Sequence, residues 1–243
     1  MYAAVLLPIL LPLRRPKILE IGLGCTMGMG ARPDQGAGAG VQLLRRLFPR
    51  AELWSAERDG KCVEKHQREG RLPGINPLIG DQGDPAALRR WISQSGGGFN
   101  AIIDDGSHMN ADILASFTAL WPHLSPGGVY IITDLGVSRF SLFAGSNGSL
   151  FVSDVIQGWL ELLLVDAGDD PTFAERRARL ASHPKLPEDL AFISCQYALC
   201  ALVRSRRRWK ESPPVSKCKT TACRLHRIVD KSFDSRGSFI VGY

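Results

Sequence analysis

The residues with chemical potential in this chain fall into five short groups. Glu20-Ile21-Gly22-Leu23-Gly24 sets two glycines two apart behind an acid, and Glu57 stands alone before Arg58. Gly80-Asp81-Gln82 makes a third group, Asp104-Asp105-Gly106-Ser107-His108 a fourth and Thr133-Asp134 a fifth. A G-x-G pair lets the backbone turn sharply and approach a ligand closely, and the helix that follows offers free N–H groups to an anion. A lone acid after the second strand is placed to accept both hydroxyls of a ribose. Asp81 then falls where an adenine edge would lie. A histidine with an ordinary pKa near 6.5 is suited to take a proton from an alcohol at neutral pH, and His108 sits three residues beyond Asp105. Each group also has a plain structural reading. Asp105 or Ser107 could cap a helix starting near Met109, His108 could be a first-turn residue, and Glu57 could be a solvated carboxylate.

These groups owe their meaning to the elements that carry them. Apolar runs at Lys17–Gly22, Ala51–Ala56, Ile75–Ile79, Phe99–Asp104 and Val129–Thr133 alternate with helical periodicity at Gly38–Phe48, Lys61–Glu69, Ala86–Ser95 and Met109–Trp121. Asp84 before Pro85 is an N-cap followed by proline at the first helical position. Another helix is expected over Leu150–Val165, then two strands at Ala191–Cys195 and Ala198–Val203, which must run antiparallel across so short a connection. The expected fold is therefore α/β: a Rossmann-like doubly wound sheet, mostly parallel, with an antiparallel closing hairpin. Ligands bind such sheets at the carboxyl ends of the strands, and all five groups lie there. An acid follows or ends four of the five parallel strands, and Glu20 lies within the first.

The runs ILEIGLGC (18–25), IIDDGSH (102–108) and LSPGGVYIITDL (124–135) resemble the macrocin O-methyltransferase and cephalosporin-biosynthesis methyltransferase-like group of class I S-adenosylmethionine-dependent methyltransferases. The resemblance covers roughly residues 17–204, and DDGSH is its most specific element. It implies methyl transfer to a hydroxyl of a small molecule, a natural product or sugar-like acceptor, with Mg2+ assisting. The strand-end positions together assign Glu20, Gly22, Gly24, Glu57, Asp81 and Asp104 to the cofactor side, Asp104 as a structural residue or one behind the cofactor, and the resemblance puts Glu20 near the amino-acid moiety. Carried over from that group, three further residues take roles. Asp105 and Asp134 become metal ligands, and His108 becomes the general base. The chain departs from the pattern at Thr133, where that group carries Glu.

Composition sets the outer limits. The chain has 243 residues, 44% hydrophobic and 22% charged, ordinary values for a globular protein and not for a disordered or fibrous one. Its net charge is +6, but the sign is unevenly spread. Residues 204–243 hold eleven Lys/Arg against three Asp/Glu, which leaves 19 basic and 21 acidic residues in the first 203. The body is thus slightly acidic, which argues against a nucleic-acid partner for it. Three parts follow: an apolar segment 1–16, a methyltransferase domain 17–204 and a basic, flexible tail 205–243. The opening stretch carries Pro8 and Pro12 and no basic start, so it reads poorly as a signal peptide. No segment reaches the roughly 20 apolar residues of a membrane span. The expected location is cytoplasmic, and a homo-oligomer is compatible with the sequence. Cys25, Cys62, Cys195 and Cys200 lie in or beside apolar runs, where cysteine serves as a small hydrophobe. Cys218, Cys223 and His226 have an incomplete zinc spacing.

Three other readings compete with the O-methyltransferase. One is a methyltransferase-like domain that binds cofactor without turnover, favoured by Thr133. A second is an RNA methyltransferase that uses the basic tail. The third is an NAD-dependent oxidoreductase, which would want G-x-G-x-x-G and a catalytic Tyr-Lys pair.

Overall fold

A computed structural model describes residues 2–25, 37–144, 150–164 and 184–206. The glycine-rich run from Gly28 to Gly36, the Cys218/Cys223/His226 cluster and the tail beyond 206 lie outside the described residues. Residues Met1–Arg206 form one compact unit.

Seven strands form one sheet: β1 (Lys17–Ile21), β2 (Glu52–Glu57), β3 (Ile75–Ile79), β4 (Phe99–Asp104), β5 (Leu124–Ile132), β6 (Leu190–Gln196) and β7 (Leu199–Arg204). Their order is β3-β2-β1-β4-β5-β7-β6. The first five pair in parallel, while β7 runs antiparallel to both β5 and β6. The doubly wound sheet with its closing hairpin is thus as the sequence predicts. The direction of winding reverses between β1 and β4, and a crevice opens at such a switch point.

Period-two alternation decides how the layers pack. Leu19, Ile102, Tyr130 and Leu202 face one core with α4 (Pro85–Ser95), α5 (Asn110–Leu120) and α7 (Val152–Leu164). Ile18, Ala101, Ile103, Val129 and Ile131 face the other, with α1 (Tyr2–Leu10), α2 (Ala39–Leu47) and α3 (Gly60–Arg68). Both faces of β1, β4 and β5 are therefore apolar, which accounts for their near-continuous hydrophobic runs. Phe117 stacks on Trp121, Tyr130 and Trp159, with centroids 5.0–5.1 Å apart, and joins α5, β5 and α7.

The apolar opening segment forms α1, and its Leu6 and Leu10 are fully buried. Asp84 caps α4 as expected, accepting from the backbone N–H of Ala86 at 2.8 Å and of Ala87 at 3.2 Å. At the far end, Asp189 accepts from Trp121 Nε1 and from Arg204 Nε, each at 2.7 Å, and so pins the close of β7. β5 begins five residues before the expected start. It takes in the Pro126–Gly128 turn residues at the price of a register shift against β4.

The cysteine expectation is corrected. Cys25 is bonded to Cys62, and Cys195 to Cys200. The first pair ties the end of the glycine loop to α3, and the second crosses the β6–β7 hairpin. Cys25 and Cys62, 37 residues apart, meet only through the fold, while Cys195 and Cys200, five apart, meet across the hairpin. His66 is 1% exposed with no hydrogen bond to either ring nitrogen, and its Nδ1 lies 3.8 Å from Glu69 Oε2.

Candidate active site

The carboxyl ends of β1, β2, β4 and β5 bring the expected residues to one edge of the sheet. The loop after β1 starts at Gly22, with φ +95. A Cβ there would stand 2.1 Å from the Asp105 carbonyl oxygen, so only glycine fits. Gly24 also has positive φ. Glu57 reaches back to this loop: its Oε2 accepts from the Leu23 N–H at 3.2 Å and its Oε1 from the Asp59 N–H at 3.0 Å. Each carboxylate oxygen has a second lone pair, so both can still accept from a diol.

Glu20 is buried and reaches the first turn of α2. A Cβ on Gly40 would meet its Oε1 at 1.8 Å. Burial, and next the charge of Asp105, raises its pKa to about 8, against a hydrogen bond from the Val41 N–H. Asp81 sits at the rim, half exposed, where its Oδ1 accepts from the Gly83 N–H at 2.9 Å and Arg58 approaches at 3.7 Å.

Asp105, His108 and Asp134 converge. One ligand atom from each lies within 4.8 Å of the other two, and among the described residues no other three metal-capable groups do so. His108 and Asp134 both have left-handed backbones, φ 58 and 52, which cost non-glycine residues energy and mark strained functional turns. Thr133 Oγ1 donates to Asp105 Oδ1 and so orients the carboxylate toward its neighbours. Loss of solvent raises the Asp105 pKa. The Thr133 hydrogen bond and the attraction of His108 oppose the rise, and the charge of Asp134 adds to it. The Phe143 ring meets His108 edge-on, with centroids 6.3 Å apart.

Asp104 is placed apart from these groups. It is 2% exposed, and its oxygens accept from Gln82, Ser116 and Tyr130. Gln82, expected beside an adenine edge, is likewise interior. Asn110 escaped the sequence reading altogether. Its Nδ2 donates to Ser138 O at 2.8 Å and Phe143 O at 3.1 Å, and its Oδ1 accepts from the Val152 N–H at 2.9 Å. It thus hangs the segment beside His108, and the start of α7, from the first turn of α5. No sequence signal distinguished it from a surface asparagine. Ser107 does cap α5: its Oγ accepts from the Met109 N–H at 3.1 Å and donates to Asp112 at 2.8 Å.

No protein-family model matches the chain. Demethylmacrocin O-methyltransferase from Streptomyces fradiae is 31% identical over 173 residues, 71% of this chain and 37% of that protein. Mycinamicin VI 2''-O-methyltransferase from Micromonospora griseorubida is 34% identical over 148 residues, 61% of this chain and 34% of that protein. Over those stretches the chain is similar to macrocin-type O-methyltransferases. It spans about a third of the length of the curated relatives it matches. Among solved structures, the MycE methyltransferase from the mycinamycin biosynthetic pathway, in complex with Mg and SAH, superposes with a TM-score of 0.59. It is 24% identical, with 83% of this chain and 48% of that chain covered. That likeness shows the fold, a Rossmann-like sheet with helices on both faces. Two carboxylates with an adjacent hydroxyl and imidazole form a donor set suited to a hard divalent cation, so the residues present fit Mg2+.

Proposed function

We propose that the chain is an S-adenosylmethionine-dependent O-methyltransferase acting on a hydroxyl of a small natural product or sugar-like acceptor. The observation that carries this reading is the convergence of Asp105, His108 and Asp134 beside the Gly22 loop. The relatives' names support the acceptor class. Two of them are L-olivosyl-oleandolide 3-O-methyltransferase from Streptomyces antibioticus and an 8-demethyl-8-alpha-L-rhamnosyl tetracenomycin-C 2'-O-methyltransferase from Streptomyces olivaceus. Both name a hydroxyl of a sugar-bearing natural product.

When bound, S-adenosylmethionine supplies the activated methyl group and Mg2+ lowers the pKa of an alcohol and orients it. The chain's own work is alignment and proton transfer. Glu57 accepts the ribose hydroxyls, Gly22 and Gly24 let the backbone close on the cofactor, Glu20 faces its amino-acid end and Asp81 its base. Asp105 and Asp134 hold the cation, with Thr133 fixing the first of them. His108 Nε2 takes the acceptor's proton, and Asp134 Oδ2, 3.6 Å away, stabilises the imidazolium that forms. Holding the partners in line can contribute about 7–11 kcal/mol to barrier lowering. Asp104 serves from behind the site rather than by touching the cofactor.

The acceptor on this reading is a small molecule, in keeping with the slight acidic excess of the first 203 residues, 21 acidic against 19 basic. Among the described residues no helix is long and apolar enough to cross a membrane. We place the protein in the cytoplasm. Isothermal titration with S-adenosylmethionine, with and without Mg2+, tests the reading. Micromolar cofactor binding is expected, and its absence would overturn the assignment.

A further inference from the structure

Gln82 lies just beyond β3, is 5% exposed and has both ends of its amide engaged. Nε2 donates to Asp104 Oδ1 at 3.1 Å and lies 3.3 Å from Asp104 Oδ2 and from Ser116 Oγ. Oε1 accepts the backbone N–H of Ser107 at 2.8 Å. A Cβ on Gly106 would come within 1.8 Å of that same Oε1. The amide therefore lies against the Gly106–Ser107 peptide, between the turn that carries Asp105 and His108 and the buried carboxylate of Asp104.

Asp104 makes a firm anchor. Besides Gln82 it accepts from Ser116 Oγ at 2.8 Å on α5 and from the Tyr130 hydroxyl at 3.0 Å on β5. The turn it anchors needs holding. His108 is left-handed, a conformation that persists in a non-glycine residue only when its surroundings over-determine it. The chemistry also fixes the residue type. Ser107 presents a donor and Asp104 an acceptor, so the bridging group must accept at one end and donate at the other. An amide does this. A carboxylate would set an acceptor against Asp104, and an apolar side chain would leave the Ser107 N–H without its partner and Asp104 with one donor fewer, beside those of Ser116, Tyr130 and the Gly106 N–H.

We infer that Gln82 is a positioning residue for methyl transfer: it tethers the Asp105–His108 turn to Asp104 and so holds the base and the cation-binding carboxylate in register with the cofactor loop. The inference rests on the proposed function. It needs no contact between Gln82 and any ligand, and it assigns the buried Asp104–Ser116–Tyr130 cluster to the site as its support. Residues that orient metal-binding and catalytic groups from behind are worth about 10–100-fold in metal affinity or activity.

The test compares the full chain with its Gln82→Met and Gln82→Ala variants. Methionine keeps the volume and removes both hydrogen bonds, so it remains informative if alanine fails to fold. Three quantities are read: the S-adenosylmethionine Kd, the Mn2+ Kd by titration, and the imidazole 1H–13C signal of His108, assigned through His108→Ala. The expected result for Gln82→Met is cofactor affinity within about threefold of wild type, Mn2+ affinity weakened about tenfold or more and a displaced His108 signal. A variant with unchanged Mn2+ affinity and an unchanged His108 signal would leave Gln82 a packing residue and overturn the inference. A wild-type chain that binds no S-adenosylmethionine would overturn the function and this inference together. A wild type that binds it beside an unaffected Gln82→Met overturns the inference alone.

Discussion

His108 and Asp134 face each other from the ends of neighbouring strands, each with a left-handed backbone, and bring Nε2 to 3.6 Å from Oδ2. Two strained turns that meet at their side chains hold a base and its counter-charge at a set distance. The ring of Phe143 shields one edge of that pair.

Replacing His108 by alanine removes the proton acceptor and leaves the cofactor loop intact. Turnover of a sugar-bearing acceptor should fall by about 10²–10⁴-fold, while S-adenosylmethionine affinity stays within about threefold by titration. A collapse of cofactor affinity would make His108 part of the cofactor site.

Thr133→Glu exchanges the hydroxyl that donates to Asp105 for a third carboxylate. Without cation the like charges repel, and the melting temperature should drop. With Mg2+ the added ligand should tighten binding severalfold, and the melting temperature should recover. Calorimetric titration and thermal shift read both signs, and an unchanged Mg2+ affinity would mean that the cation is held elsewhere.

Glu20 has a pKa of about 8 in the folded chain, against an ordinary 4.5, with burial the first cause. The folded state therefore binds more protons than the unfolded state between those values. Stability should be highest below about pH 4.5 as far as this group is concerned, fall by up to about 1.4 kcal/mol per pH unit through the window and level off above 8. Glu20→Gln should abolish that slope in urea unfolding measured from pH 5 to 9. If the cofactor's ammonium group docks beside Glu20, binding at pH 7 should also release close to one proton. Titrations in buffers of different ionisation enthalpy would reveal it.

Gly22→Ala places a methyl group against the Asp105 carbonyl at positive φ. The left-handed backbone alone costs about 1–2 kcal/mol, and the overlap adds to it. Loss of detectable S-adenosylmethionine binding is expected together with a lower melting temperature, both measurable on one sample by differential scanning fluorimetry.

The strands and most helices were legible because period-two and helical spacing are local properties, and the five polar groups were legible because each ends or follows a strand. What stayed hidden depends on distant partners. Gln82 carries no charge and sits in a turn, and only Asp104 and Ser107 give it meaning. Cys25 and Cys62 are brought together by the β1–β2–α3 unit. α1 is apolar on every side and contains Pro8, so no helical period could announce it. β5 begins at Leu124, through Ser125-Pro126-Gly127, residues that locally read as a turn. Asp104 is the subtlest case: its neighbour in sequence faces the site while it faces the core, a consequence of strand alternation.

Gly22 rests directly on the Asp105 carbonyl with no room for an atom between them, so the cofactor loop and the cation turn share one wall. Neither can drift in a lineage without disturbing the other. The latitude to change acceptor then falls to the stretch beyond Asp134, including Phe140 and Leu142, which are more than half exposed. That stretch hangs from Asn110 as a replaceable cassette. If the proposed function holds, descendants of such a scaffold would differ in acceptor and keep this shared wall.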